Sequence, residues 1–313
     1  MGEGLKELLA LTELLNAHPE GMELKDLSQR LSLTREALML MPELASSLDL
    51  PLIAEGEQLR LLSPVDLLHE NVIFDAVTGR GRVSVVPETG STNTALLENL
   101  NNTVSGDALL CELQSAGRGR RGHGWKNSLG RDLALSVVCD LDESHSPAGL
   151  SLVVGLAAIE ALNSLGVTGI ALKWPNDLYF GEGKLAGILV ETGHRHGTLC
   201  AVCGIGLNVH SRHVLQGRTV ACVDDCLKGL TRDALSIALI DAVRGDVALF
   251  NRLGFLPFKE RFDAVDRLCG RTVTLELEDE EVTGVARGIS GNGELILNTG
   301  KERRSFATGH VVL

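Results

Sequence analysis

Between Gln114 and Trp125 the chain reads Gln-Ser-Ala-Gly-Arg-Gly-Arg-Arg-Gly-His-Gly-Trp, with four glycines and three arginines in twelve residues. Arginine presents a rigid fork of donors matched to carboxylate and phosphate. Glycine lets a backbone take a left-handed φ or come close to a ligand. Together they suit a loop that closes over an anionic small molecule, with the Trp125 ring as a face on which a base stacks. The stretch matches neither the GxxxxGK[ST] phosphate loop nor a GxGxxG turn opening a helix after a strand. A solvated basic loop could have this composition too, but such a concentration of basic charge is unexpected in a chain of net charge −12.

Other groups have types and places that suggest binding. Ser91-Thr92-Asn93 follows the short strand at Val83–Pro87 and precedes a helix through Ala95, Leu96, Leu97 and Leu100. There its hydroxyls and amide can serve an uncharged polar ligand, and Ser91 or Thr92 can cap the helix. Lys184 opens the apolar strand Lys184–Glu191, where an ammonium must find an anionic partner or snorkel to water from a hairpin edge. Lys173-Trp174 ends a strand and leads into Pro175-Asn176-Asp177, while Gly204-Ile205-Gly206-Leu207-Asn208 reads as a turn closing the strand from Leu199. Cys200 and Cys203 have knuckle-like spacing, as do Cys222 and Cys226. An odd separation in an extended run puts Cys200 and Cys203 on opposite faces, however, and structural zinc is not expected. His194, His196, His210 and His213 lack a metal-binding frame and read as surface residues.

The elements that must position these residues fall into three parts. Leucines at helical spacing from Leu5 to Leu15, a second helix at Leu24–Leu31, a third from about Arg35 behind the cap residue Thr34, and an extended Pro51–Leu61 outline a winged helix-turn-helix. From Met1 to Leu61, eleven acidic residues face five basic ones, a net of −6, and Glu55-Gly56-Glu57 stands at the wing tip. Phosphate contacts need donors or cations, so operator DNA is a poor partner for this module. Ser63-Pro64 reads as a linker. Alternating strands and helices follow, including a buried-type helix at Leu150–Leu165, an amphipathic helix at Thr231–Phe250 and another at Phe258–Asp266. Short strands then return at Thr272–Leu277, Glu281–Ile289, Glu294–Leu297 and Arg304–Phe306, with Gly291-Asn292-Gly293 as a hairpin turn. They fit a small closed barrel of about five strands.

A chain of 313 residues with 44% hydrophobic content can bury two or three cores. Its acidity argues against broad nucleic-acid binding. The apolar run at Leu150–Leu162 is interrupted by Ser151, Gly155 and Glu160 and is too short to span a bilayer. The first residues lack a signal-peptide layout, and seven scattered cysteines suit reduced thiols. A cytoplasmic protein with no membrane partner is expected.

Taken together, Ser91-Thr92-Asn93, Gln114 with the Gly117–Gly122 arginine loop, Trp125, Lys173–Asp177, Lys184–Glu191 and Gly204-x-Gly206-x-Asn208 resemble the biotin–protein ligases, specifically the three-domain bacterial type that doubles as the biotin operon repressor. The resemblance implies an α+β chain: a winged helix-turn-helix at residues 1–65, a mixed-sheet biotin/lipoate ligase-type catalytic domain akin to class II synthetases at 66–268, and an SH3-like barrel at 269–313. It implies ATP, biotin and Mg²⁺ as cofactors and substrates, and a biotin carboxyl carrier protein as acceptor through its lysine. A homodimer and operator DNA are further partners of such proteins. The family pattern places Ser91, Thr92, Asn93, Gln114, Arg118, Gly119, Arg120, Lys184 and Gly187 around biotin. It places Arg120, Arg121, His123, Trp125, Lys173, Asn176 and Asn208 around ATP or the adenylate. Arg118, Arg120, Lys184 and Asp177 are the catalytic candidates, and no residue is assigned as a metal ligand. Two departures stand out: His123 occupies a place where the family usually has a basic residue, and the N-terminal module is acidic. Alternatives of other classes are a biotin-sensing DNA-binding repressor without ligase activity, and a lipoate or octanoate ligase of the same fold.

Overall fold

The computed structural model describes residues 4–210 and 219–312; His213 lies outside them. Helix α1 (Leu5–Asn16) buries Leu5, Leu8, Leu11 and Leu15 along one stripe, the pattern of an amphipathic helix. Strand β1 (Met22–Glu23), α2 (Leu24–Leu31) and α3 (Arg35–Ser47) follow. The turn between the helices runs through Ser32, whose φ is 55°, and Thr34 caps α3 by accepting from the Ala37 amide at 3.2 Å. Strands β2 (Leu52–Glu55) and β3 (Gln58–Leu61) form a hairpin, completing a sheet of order β1-β3-β2. The expected linker at Ser63-Pro64 leads into tethered chain. Val65 and Leu67 join the core of these first elements together with Leu129. Asn16 also holds Val65 by both its amide and its carbonyl, at 3.0 and 2.7 Å.

The central part contains α4 (Glu70–Ala76), β4 (Val83–Thr89), α5 (Thr92–Glu98), β5 (Ala108–Gln114), β6 (Asp132–Asp140), α6 (Leu150–Ser164), β7 (Ile170–Lys173), β8 (Asp177–Phe180), β9 (Gly183–Arg195), β10 (Thr198–Asn208), α7 (Val223–Cys226), α8 (Arg232–Leu253) and α9 (Lys259–Asp263). Its seven strands are ordered β4-β5-β6-β10-β9-β8-β7. Only β4 and β5 run parallel, so the sheet is mixed. Helix α6 is apolar on nearly every side because it lies between the sheet and α8, and a helix covered on both sides needs no polar face. Helix α5 covers the opposite face, where Leu96, Leu100, Val138, Cys200 and Val202 form a separate core. Cys203 belongs to the larger core under α6, so the two cysteines do face opposite ways. Helix α9 is shorter than the expected Phe258–Asp266 segment and is preceded by a 3-10 turn at Leu256–Phe258.

Strands β11 (Thr272–Glu276), β12 (Glu281–Ile289), β13 (Leu295–Asn298), β14 (Arg303–Phe306) and β15 (His310–Val312) make the last sheet, of order β14-β13-β12-β11-β15. Five strands were expected, but as a closed barrel; here β14 and β15 end the series, and no ladder joins them among the described residues. Val273, Leu275 and Val311 belong to the same core as the central sheet, so this sheet is packed directly against the central part.

His210 is not the surface histidine that the sequence suggests. Its Nε2 lies 3.0 Å from Asp66 and its Nδ1 3.0 Å from Asp224, while Asp66 also accepts the Arg232 amide at 2.7 Å. The hydrogen bond to Asp66 leads the causes that raise the His210 pKa above its ordinary 6.5, against the effect of burial. His69 makes a related contact, with Asp233 at 2.7 Å and Glu13 of α1 at 3.3 Å. Burial pulls it down, but its two carboxylates outweigh burial and raise it. A histidine whose pKa is raised on folding stabilises the fold fully below its unfolded value of about 6.5, and that contribution is lost as pH rises through the folded value. The melting temperature is therefore expected to fall from about pH 6.5 upward, and less so in a His210→Asn variant. Parallel pH–melting curves for the two proteins check this.

Candidate active site

The Arg-Gly loop leaves the end of β5 and folds back on itself. The Gly119 amide donates to the His123 carbonyl at 2.6 Å, the His123 amide to Arg120 at 3.1 Å, and the Trp125 amide to Gly117 at 2.8 Å. Of the loop glycines only Gly122 has a left-handed φ, 73°, and the preceding Arg121 shares that conformation at 54°. Gly117 is needed for closeness instead, since a Cβ there would collide with the Trp125 carbonyl.

Trp125 lies against the sheet where Gly206 and Gly187 face each other across β10 and β9. A Cβ on Gly206 would run into the indole, and one on Gly187 would stand 3.6 Å from it. Gly204 leaves room for the Asn93 amide in the same way. The expected turn at Gly204–Asn208 is therefore strand, continuous through Asn208: these glycines supply empty space above a ladder rather than a bend. Gly206→Ala should displace the indole and weaken nucleotide binding by roughly tenfold or more, the worth of about one stacked base. Titration with a non-hydrolysable ATP analogue measures it.

The space beneath the loop is a cavity of about 330 Å³. Its neutral wall is built by Ser91, Thr92, Asn93 and Gln114, and Ser91, Thr92 and Asn93 are buried. Ser91 occupies the cap position of α5 but makes no side-chain cap bond. Thr92 does not cap either: its amide donates to Gln114 Oε1 at 2.9 Å. Ser136, which sequence reading missed, donates to Asn93 Oδ1 at 2.6 Å and stands 2.7 Å from the Thr92 hydroxyl.

Charged side chains line the same cavity. Lys184 bonds Asp177 at 2.6 Å, and with only 20% of each side chain exposed the lysine is partnered rather than snorkelling. Arg120 also lines the cavity; burial, then the neighbouring Arg121 charge, lower its pKa against the opposing pull of Asp177. Arg118 pairs with Glu191 on β9 at 2.8 Å. Gly119, His123, Trp125 and Gly187 also line the cavity, as do Asn176 and Asn208. Asn176 donates to the Ile188 carbonyl at 2.7 Å, and Asn208 donates to Lys184 and Ala221 carbonyls at 3.1 Å, so both amides fix the wall.

Two candidates lie beside the main cavity rather than in it. Arg121 and Lys173 border a smaller adjoining cleft, where Arg121 donates to the Glu276 carbonyl at 3.2 Å and Lys173 to Val311 at 2.8 Å. They tie the loop and β7 to the last sheet. That sheet contributes His310 to both spaces, a contribution no local sequence signal announces. Among the described residues no group of three or more His, Cys, Asp or Glu could hold a metal ion, and no helix is long and apolar enough to cross a membrane.

A mixed sheet bearing a glycine-rich basic loop, with neutral polar and charged side chains lining one cavity, is suited to holding a small acid beside a nucleotide. A sequence profile for the "Biotin/lipoate A/B protein ligase family" matches residues 85–208, and one for the "Biotin protein ligase C terminal domain" matches 268–313. The chain is 38% identical to the bifunctional ligase/repressor BirA of Escherichia coli K12 over 247 residues, 77% of each chain. It is 31% identical to the biotin–[acetyl-CoA-carboxylase] ligase of Mycobacterium tuberculosis, over 81% of this chain and 97% of that one. Among solved structures, the biotin protein ligase of Aquifex aeolicus in complex with biotin and ATP aligns with a TM-score of 0.63 and 27% identity, covering 74% of this chain and 97% of that one. The chain belongs to the biotin/lipoate A/B protein ligase family.

Proposed function

We propose that this protein is an ATP-dependent biotin–protein ligase: it activates biotin as biotinyl-5′-adenylate and transfers it to a lysine of a biotin carboxyl carrier protein. The observation that carries the reading is one cavity lined by Ser91, Thr92, Asn93 and Gln114, by Arg120 and Lys184, and by Trp125. The first group suits the neutral ureido end of biotin, and the second its carboxylate. In the first step the carboxylate oxygen attacks the α-phosphate and pyrophosphate leaves. Two anions meet, so fixed cations that offset their repulsion and the developing phosphorane charge do most of the catalysis. Lys184 keeps its bond to Asp177 and turns its remaining N–H donors to the two reacting groups, Arg120 covers them from the loop, and Trp125 stacks on adenine. Arg121, His123 and Lys173 lie along the polyphosphate side, with Asn176 and Asn208 beside the adenylate. In the second step the carrier amine attacks the acyl carbon and AMP leaves. Until then the loop excludes water from the mixed anhydride.

Mg²⁺ is expected to accompany the triphosphate. The nearest motif carboxylate, Asp177, is engaged by Lys184, a poor fit for a protein-held metal, and no step is assigned to the ion.

The working division is a winged helix-turn-helix at 1–65, a catalytic domain at 66–268 and an SH3-like domain at 269–313. In the first, Arg35 and Arg60 are paired with the wing-tip Glu57 and Glu55. This supports a structural or interaction role over operator reading. A repressor role is favoured by the BirA relatives and opposed by that pairing. A homodimer and a cytoplasmic location complete the reading. Biotin-dependent exchange of pyrophosphate into ATP tests the first step. Exchange with biotin supports the proposal, and exchange only with lipoate or octanoate moves the protein to the sister activity.

A further inference from the structure

We propose that Glu191 is a positioning residue that latches the arginine loop onto the biotin end of the cavity; the proposal rests on the ligase reading for the identity of the ligand. Glu191 lies on β9 opposite Val202 of β10 and does not line the cavity itself. Both its oxygens nevertheless take bonds from groups that do. Arg118 Nη2 reaches Oε1 at 2.9 Å and Oε2 at 2.8 Å, and Asn93 Nδ2 reaches Oε2 at 3.0 Å. Asn93 is fixed further by its bond to the Leu189 carbonyl at 3.1 Å and by the Ser136 hydroxyl at 2.6 Å. One carboxylate thus joins the loop to the rigid polar wall.

This arrangement separates the arginines by role. The Arg118 charge is engaged by Glu191, whereas Lys184 bonds Asp177, which pairs with Gly187 earlier on β9 and whose charge also acts on Arg120. Arg118 therefore acts as the loop's anchor, and charge compensation in the reaction falls to Arg120 and Lys184. The latch is made wholly of protein groups, so it biases the loop toward closure independently of the ligand. A ligand that needs the closed loop binds more weakly in proportion to the closed fraction lost.

The test compares Glu191→Gln, Glu191→Asp and the parent protein. Gln keeps an acceptor for Asn93 but removes the charge that holds Arg118; Asp keeps the charge on a shorter arm. Charge-assisted bonds of this kind, discounted for the half-exposed arginine, predict a rise of about five- to tenfold in the biotin KM of Glu191→Gln, with kcat within about twofold. Tryptic cleavage after Arg118, Arg120 and Arg121 in the ligand-free protein should quicken by a similar factor, and Glu191→Asp should recover part of both effects. Melting curves matching the parent establish that each variant is folded. Unchanged cleavage and unchanged biotin KM in Glu191→Gln would overturn the latch, as would a fall in kcat at constant KM. Because the cleavage arm uses no ligand, it tests the latch even if the parent proves not to use biotin.

Discussion

Lys184→Gln is expected to slow adenylate formation by about 10³-fold, the loss seen when one preorganised group facing developing charge is removed. Three facts place the effect at the upper end. The ammonium is largely enclosed, its position is set by a 2.6 Å bond to Asp177, and its backbone carbonyl is held by Asn208. The variant also strands the Asp177 carboxylate where two further anions must meet. Lys184→Gln combined with Asp177→Asn should therefore recover part of the loss, since the second change removes repulsion that the first exposes. Single-turnover formation of the adenylate at saturating biotin and ATP is the measurement. A Lys184→Gln rate within about tenfold of the parent would remove the lysine from the chemistry.

The second large effect is on stability. Arg232 is fully buried at the start of α8. Its Nη1 reaches the buried Glu112 carboxylate and the Asp66 carbonyl, each at 2.7 Å. Its Nε and Nη2 have no hydrogen-bond partner among the described residues. Glu112 in turn accepts the Leu68 amide at 2.7 Å. Arg232→Met should destabilise the protein by about 3–5 kcal/mol, because it leaves a carboxylate buried without its counter-charge. Arg232→Met with Glu112→Leu should restore much of that, since apolar replacement of a whole buried pair is often neutral. Denaturant midpoints of the three proteins check both statements. Equal loss in the single and double variants would mean that shape, not charge, holds this junction.

The site was legible where chemistry contradicts its surroundings. Three arginines in an acidic chain, a lysine opening an apolar strand and a polar triplet at a strand-to-helix mouth each demand a partner, and each lies in or beside one cavity. The Cys200 and Cys203 reading held because alternation along a strand is a local rule. What failed depended on contacts between distant segments. Gly204 and Gly206 looked like a turn, and only the position of Trp125 and Asn93 shows them as gaps in a strand. His210 looked like a surface residue because its carboxylate partners, Asp66 and Asp224, lie on other segments. Ser136 and His310 carry no local signal, since one sits mid-strand in an apolar run and the other on a three-residue strand that only pairing with β11 defines. Ser91 and Thr92 fit helix capping by type, yet Thr92 is engaged by Gln114 and Ser136, a competition that residue type alone does not express.

The most direct test is to incubate the protein with biotin, MgATP and a biotin carboxyl carrier domain, and to weigh the carrier by mass spectrometry. The account predicts a gain of one biotinyl group that disappears when the carrier's acceptor lysine is replaced, and nearly disappears with Lys184→Gln. A carrier that gains no mass with biotin, while the protein is folded and the acceptor lysine is intact, would contradict it.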